Sequence, residues 1–176
     1  MRNGLKKDAA EILKSAIEAV EPSVAVKRAL ARDKNTLQVG NRSYDLDEFR
    51  NIYVVAFGKA SVSMSKALEE ILHDLPLKGM AITKYGLGSK LEQIEVYEAA
   101  HPVPDENSLK AGQMVKEILS QAGKEDLVFF LISGGGSSLF ALPRKDVSFK
   151  EFVKLHEALL SSGATIKEIN TVRKHL

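Results

Sequence analysis

The sequence contains no cysteine, which excludes disulfides, thiolate metal sites and cysteine nucleophiles together. Tryptophan is absent, other aromatics are few, and 25 basic residues nearly cancel 23 acidic ones with the signs interspersed. Nothing in that balance advertises a nucleic-acid or anionic-membrane surface. No apolar run is long enough to cross a bilayer. Residues 1–14 are helical in pattern but charged throughout, without the apolar stretch or small-residue cleavage site of a leader. These absences leave a cytoplasmic protein as the expectation, and 176 residues suffice for one domain with a proper core.

What is present is a chain that changes character near residue 50. Leu5, Ala9, Ile12, Leu13, Ala16, Ile17 and Val20 recur at helical spacing up to Glu21-Pro22. Pro22 can open a second helix with Val26, Ala29 and Leu30 turned inward. Gly40-Asn41 then reads as a two-residue hairpin between 37–39 and 42–44. From Ile52 onward, apolar runs alternate with helical patterns, the signature of βαβ units on a parallel sheet. Strands are expected at 52–57, 79–83, 94–99 and 127–132, with helices after Ser61, Asp105, Ser148 and Thr165. The link from Thr83 to Ile94 is short for a crossover, so the direction of that pairing stays open. The last helix is read as still running at Leu176, uncapped, an expectation that the polypeptide continues. The fold class is therefore α/β, a doubly wound, mostly parallel sheet with helices on both faces. Residues 51–176 form the main unit, with the helical arm and β-ribbon of 1–50 packed on it.

The chain is organised around Leu127–Leu142, LVFFLISGGGSSLFAL. Six apolar residues, Leu127 to Ile132, read as a strand buried on both faces, and they break into serine and glycine. Gly134, Gly135 and Gly136 let successive N–H groups turn toward one point, while Ser133, Ser137 and Ser138 add hydroxyls. That is the composition of a phosphate or carboxylate cradle, although triple glycine alone also describes a linker.

Ligands of an open parallel sheet bind beyond the carboxyl ends of its strands. The four exits here carry Lys59, Lys84, the His101–Asp105 segment and Ser133–Ser138. Lys59 can supply positive charge to a transferring phosphoryl group, and a lysine at a helix start is otherwise disfavoured by the helix dipole. Lys84 can be a solvated loop lysine, His101 a hydrogen-bonded structural histidine, and Asp105 an N-cap. Asn170 and Arg173 share a face of the last helix, where Arg173 can clamp an anion bidentately. The four histidines lack metal-ligand spacing, so no metal site is assigned.

AFGKAS (56–61), TKYG (83–86), HPVPDENS (101–108), LISGGGSSL (131–139) and INTVRKHL (169–176) together resemble the class II glycerate 2-kinases. The likeness runs the length of the chain in order. It implies a Rossmann-like domain facing a smaller one, and transfer of the γ-phosphoryl of ATP, with Mg2+, to the 2-hydroxyl of D-glycerate. It makes Lys59 the essential basic residue, and places Asn170 and Arg173 in the cleft with the serine-glycine turn. Family members continue well beyond NTVRKHL, so the resemblance implies that these 176 residues are inactive alone. Glycerate and nucleotide are the expected partners, and a homo-oligomer is compatible with all of this. Two rivals stand beside it. One is a non-catalytic phosphosugar-binding module; the other is a hydrolase using Ser137, His101 and Asp105, although G-x-S-x-G is absent.

Overall fold

The structure is a computed structural model, and it describes residues 2–176. It opens with α1 (Arg2–Ala19) and α2 (Pro22–Ala29), followed by β1 (Leu30–Asp33), β2 (Thr36–Val39) and β3 (Arg42–Asp45). The main unit follows as β4 (Asn51–Phe57), α3 (Ser61–Ile71), β5 (Leu77–Lys84), β6 (Glu95–Ala99), α4 (Glu106–Ser120) and β7 (Asp126–Ile132). A short helix α5 (Gly136–Leu139), then α6 (Phe149–Ser161) and α7 (Ile166–Arg173), complete it.

Strands β4 to β7 form one sheet in the order β6-β5-β4-β7, with every pair parallel. Period-two alternation sends Val54 and Ala56 of β4 into one buried layer and Val55 into the other. The first layer is closed by Val62 and Leu68 of α3, the second by Ala111 and Val115 of α4 and Leu139 of α5. The sheet is thus doubly wound, as the alternating pattern predicts. The chain leaves β4 toward β5 and β6, then returns through α4 to the far side of β4. The strand order reverses between β4 and β7, and the crevice beyond their carboxyl ends is the topological switch point.

β5 and β6 are parallel although no helix joins them. Their link is held instead by Glu69 of α3, only 4% exposed, whose carboxylate accepts from the N–H groups of Glu92 (3.0 Å), Gln93 (2.8 Å) and Ile94 (2.8 Å). Val62, Ser65, Glu69 and Leu72 lie at i, i+3, i+7 and i+10, so Glu69 sits on the inward face of its helix. A carboxylate with three backbone donors repays its burial and orders a segment that has no regular structure of its own.

Five expectations need correction. The second helix ends at Ala29, which is exposed, and Leu30 begins an unpredicted strand, β1, antiparallel to β2. Val26, Leu30, Leu37 and Leu46 do join the sheet's buried layer, so α2 and the ribbon pack on it. In α1 the apolar stripe is uncovered, with Leu5, Ile12, Leu13, Ile17 and Val20 all exposed. β7 is an edge strand, flanked only by β4, and it is not buried on both faces: Phe130 is 51% and Ile132 62% exposed, so the face they share is left open among the described residues. Lastly, α7 stops at Arg173, with Lys174 as its C-cap.

Glu69→Ala leaves three buried or half-buried N–H groups without an acceptor. Urea denaturation should show a loss of roughly 2–4 kcal/mol, whereas a loss below about 0.5 kcal/mol would mean that the β5–β6 link is held by something else.

Candidate active site

The exits of β4 and β7 interlock. Ser133 N–H donates to Phe57 O (3.0 Å), Lys59 N–H to Gly134 O (2.9 Å) and Ala60 N–H to Ser133 Oγ (3.1 Å). Gly58 has φ 119°, and a Cβ there would collide with the Ser133 backbone and hydroxyl. The FGKA turn therefore needs glycine because the serine-glycine turn lies directly against it. Gly135 is left-handed at φ 93°; a Cβ there would lie 2.9 Å from His101 Cδ2, 3.0 Å from His101 Nε2 and 3.5 Å from Lys59 Cε. Lys59, His101 and the glycine turn consequently meet at one point, as the convergence of strand exits requires.

Within that turn, the N–H groups of Gly134, Gly135, Gly136 and Ser137 have no protein acceptor among the described residues. Four successive N–H groups without a protein acceptor thus lie beside an exposed lysine, an arrangement chemically able to receive an anion. The hydroxyls divide their work. Ser133 Oγ is taken by Ala60, Ser138 is buried with its hydroxyl donating to Gly135 O (3.2 Å), and Ser137 is exposed. A helix, α5, begins at Gly136 and lasts a single turn.

His101 lies between two cations. Burial, then Lys59, then Lys84 hold its imidazole below the ordinary histidine value, so it is neutral with a lone pair available at neutral pH. Lys84 ends β5, exposed on the same rim. Asp105 is occupied elsewhere: it caps α4 through Ser108 N–H (3.0 Å) and accepts from Tyr85 Oη (2.6 Å) and Ala100 N–H (3.3 Å). Burial pushes its carboxyl up, but these hydrogen bonds outweigh that and leave it below the usual value. The same bond raises the Tyr85 phenol. Among the described residues no hydrogen bond joins His101 to Ser137 or Asp105, so the geometry of a serine hydrolase triad is not formed.

Asn170 and Arg173 sit on α7. They line a separate cavity of about 350 Å³ whose rim includes Ser137. Lys59 also borders a cavity of about 490 Å³ beside α2 and α3, with Ser63 and Lys66 on its walls. Sequence reasoning missed His156, buried in the Asn170–Arg173 cavity; its i+4 spacing from Phe152 was the available signal. Among the described residues, no three histidine or acidic side chains converge as metal ligands, and no helix is long and apolar enough to cross a membrane.

A family described as "Domain of unknown function (DUF4147)" matches residues 8–176. The chain is 49% identical over 173 residues to the D-glycerate 2-kinase of Thermotoga maritima, covering 98% of this chain and 38% of that protein. It is 44% identical over 161 residues to the glycerate 2-kinase of Pyrococcus horikoshii, covering 92% of this chain and 36% of the relative. A crystal structure of glycerate kinase from Thermotoga maritima superposes with a TM-score of 0.78 at 46% identity, over 99% of this chain and 39% of that one. The chain thus spans well under half the length of these relatives.

Gly135→Ala should weaken inorganic phosphate binding by about tenfold or more, because the residue must leave the left-handed region and its methyl enters the space held by His101. Titration followed by backbone amide NMR checks this; unchanged affinity would place the phosphate elsewhere.

Proposed function

Because the chain belongs to the DUF4147 family, a branch of the glycerate kinases, we propose that it provides the phosphoryl-handling part of a D-glycerate 2-kinase. The reaction moves the γ-phosphoryl of ATP to the 2-hydroxyl of D-glycerate, giving 2-phosphoglycerate and ADP. The acceptor oxygen bonds to the γ-phosphorus, the bond to the β–γ bridging oxygen breaks, and the hydroxyl proton must leave.

What carries the reading is the contact between the two turns. Phosphoryl transfer passes through a loose transition state whose charge spreads over the peripheral oxygens, so catalysis is chiefly positioning and electrostatic stabilisation. The N–H groups of Gly134, Gly135, Gly136 and Ser137 and the Lys59 ammonium supply fixed positive charge at one point. They are held before substrate arrives by the hydrogen bonds that staple the turns, so little reorganisation is needed. Lys84 adds charge at the rim, and neutral His101 is the group there able to take the hydroxyl proton. Asn170 and Arg173 serve the acceptor acid. Asp105 has a positioning role: by holding Tyr85 and the start of α4 it sets the loop that carries His101.

ATP is a substrate in this scheme and Mg2+ is its expected companion. The acidic residues present do not fit a protein-held magnesium site, since Asp105 is spent on its capping and Tyr85 bonds and no acidic cluster accompanies it among the described residues.

The test grafts this chain in place of the matching 38% of the Thermotoga maritima enzyme. The graft should phosphorylate D-glycerate, and Lys59→Ala should lower kcat by about 10²–10³-fold, the worth of one preorganised charge. A kcat within about twofold of the unsubstituted graft would remove Lys59 from the chemistry.

A further inference from the structure

The cavity between α5, α6 and α7 holds two polar groups that the phosphoryl-handling turns leave unused. His156 of α6 is 1% exposed, its ring centroid is 4.3 Å from that of Phe152, and its Nδ1 lies 3.1 Å from Phe152 O. A carbonyl only accepts, so Nδ1 carries the proton and Nε2 of the neutral ring presents a lone pair. Burial, with Arg173 nearby, holds this imidazole below the ordinary histidine value. Nε2 is buried with no partner.

The second group is Arg173, whose Nε and Nη2 are likewise buried without an acceptor. A guanidinium stays protonated, and although Arg173 as a whole is half-buried, holding two of its nitrogens out of water with no acceptor is costly. Both residues line one cavity of about 350 Å³, together with the polar Ser137, Asn170 and Lys174 and the apolar Phe140, Leu142 and Phe152, and the set describes a guest of definite chemistry. It must bring an anion for the guanidinium and a hydrogen-bond donor for the imidazole. Phosphate fits poorly, because its anionic oxygens would face the Nε2 lone pair.

We propose that this cavity binds the acceptor acid by the two ends that flank its reacting 2-hydroxyl: Arg173 grips the carboxylate, and His156 Nε2 accepts a hydrogen bond from the hydroxyl that is not phosphorylated. This rests on the kinase reading and adds a selectivity to it. His156 distinguishes a dihydroxy acid from a monohydroxy acid, because only the former satisfies the buried lone pair. Ser137 belongs both to the glycine turn and to this cavity's rim, so an acid anchored here lies next to the phosphoryl cradle.

The experiment titrates the 176-residue chain with D-glycerate, lactate and propionate, following 15N-labelled imidazole signals. D-glycerate should shift the His156 Nε2 resonance and bind about tenfold tighter than lactate. His156→Phe keeps the ring against Phe152 but removes the acceptor, and should bring the two acids within about twofold; Arg173→Met should weaken all three acids by about tenfold or more. An unshifted His156 signal at saturating D-glycerate would overturn the proposal, and so would a glycerate preference that survives His156→Phe. Should a variant fail to fold, the signal of the unsubstituted chain decides. Failure of the kinase reading looks different: no ATP-dependent turnover in the graft, with acid binding in this cavity retained.

Discussion

The structure depends on the parallel pairing of β4 with β7. Its register sets Phe57 opposite Ile132, so the two strands end together and their outgoing turns meet. Everything at the site follows from that coincidence. Ser133 N–H reaches Phe57 O, Gly134 O receives Lys59 N–H, and Gly58 is pressed so close to Ser133 that no side chain is tolerated. A slip of even one residue would turn every β7 side chain to the opposite face and carry the glycine turn away from Lys59. The first and last strands of the unit become neighbours only because the chain reverses its direction across the sheet. The site therefore cannot form until the long-range contacts of the fold are made.

A division of labour emerges on either side of the serine-glycine turn. The sheet edge gathers positive charge, from Lys59, Lys84 and four free N–H groups, around a histidine kept neutral by that same charge and by burial. The α6–α7 side gathers the unsatisfied polar atoms of His156 and Arg173 in a cavity of mixed polar and apolar walls. The first arrangement suits an anion that arrives, changes charge distribution and leaves; the second suits fixed recognition of a small acid. Fixed donors and a low local dielectric are what each task asks for.

Much of this was legible in the residues. The parallel sheet could be read from apolar runs alternating with helical patterns, and three capping boxes mark helix starts at Asp105, Ser148 and Thr165. The close approach of the serine-glycine turn to a neighbouring strand exit could be read from three successive glycines placed directly after an apolar run. The misses have physical causes. Leu30–Asp33 carries an alternating pattern too short to outweigh the preceding helix, and it becomes a strand only by pairing with β2. The apolar run of β7 reads as doubly buried, but burial depends on neighbours, and among the described residues the face of Phe130 and Ile132 is left open. His156 and Glu69 belong to a class that periodicity hides, since a polar residue on an inward face is indistinguishable from a helix surface residue until its partners are seen. Asp105 shows the converse. Its residue type just before a helical pattern predicted the ordinary N-cap role, and the structure gives it that role, with Ser108 and Tyr85 as partners.

The central claim is that the FGKA turn and the serine-glycine turn grip one anion. It is tested most directly by titrating the chain with pyrophosphate while recording the Lys59 Nζ resonance and the amides of Gly134, Gly135 and Gly136. One saturation curve, with a single dissociation constant for lysine and glycines alike, is the result this structure predicts. Separate curves, or glycine amides that stay still while the lysine responds, would contradict it.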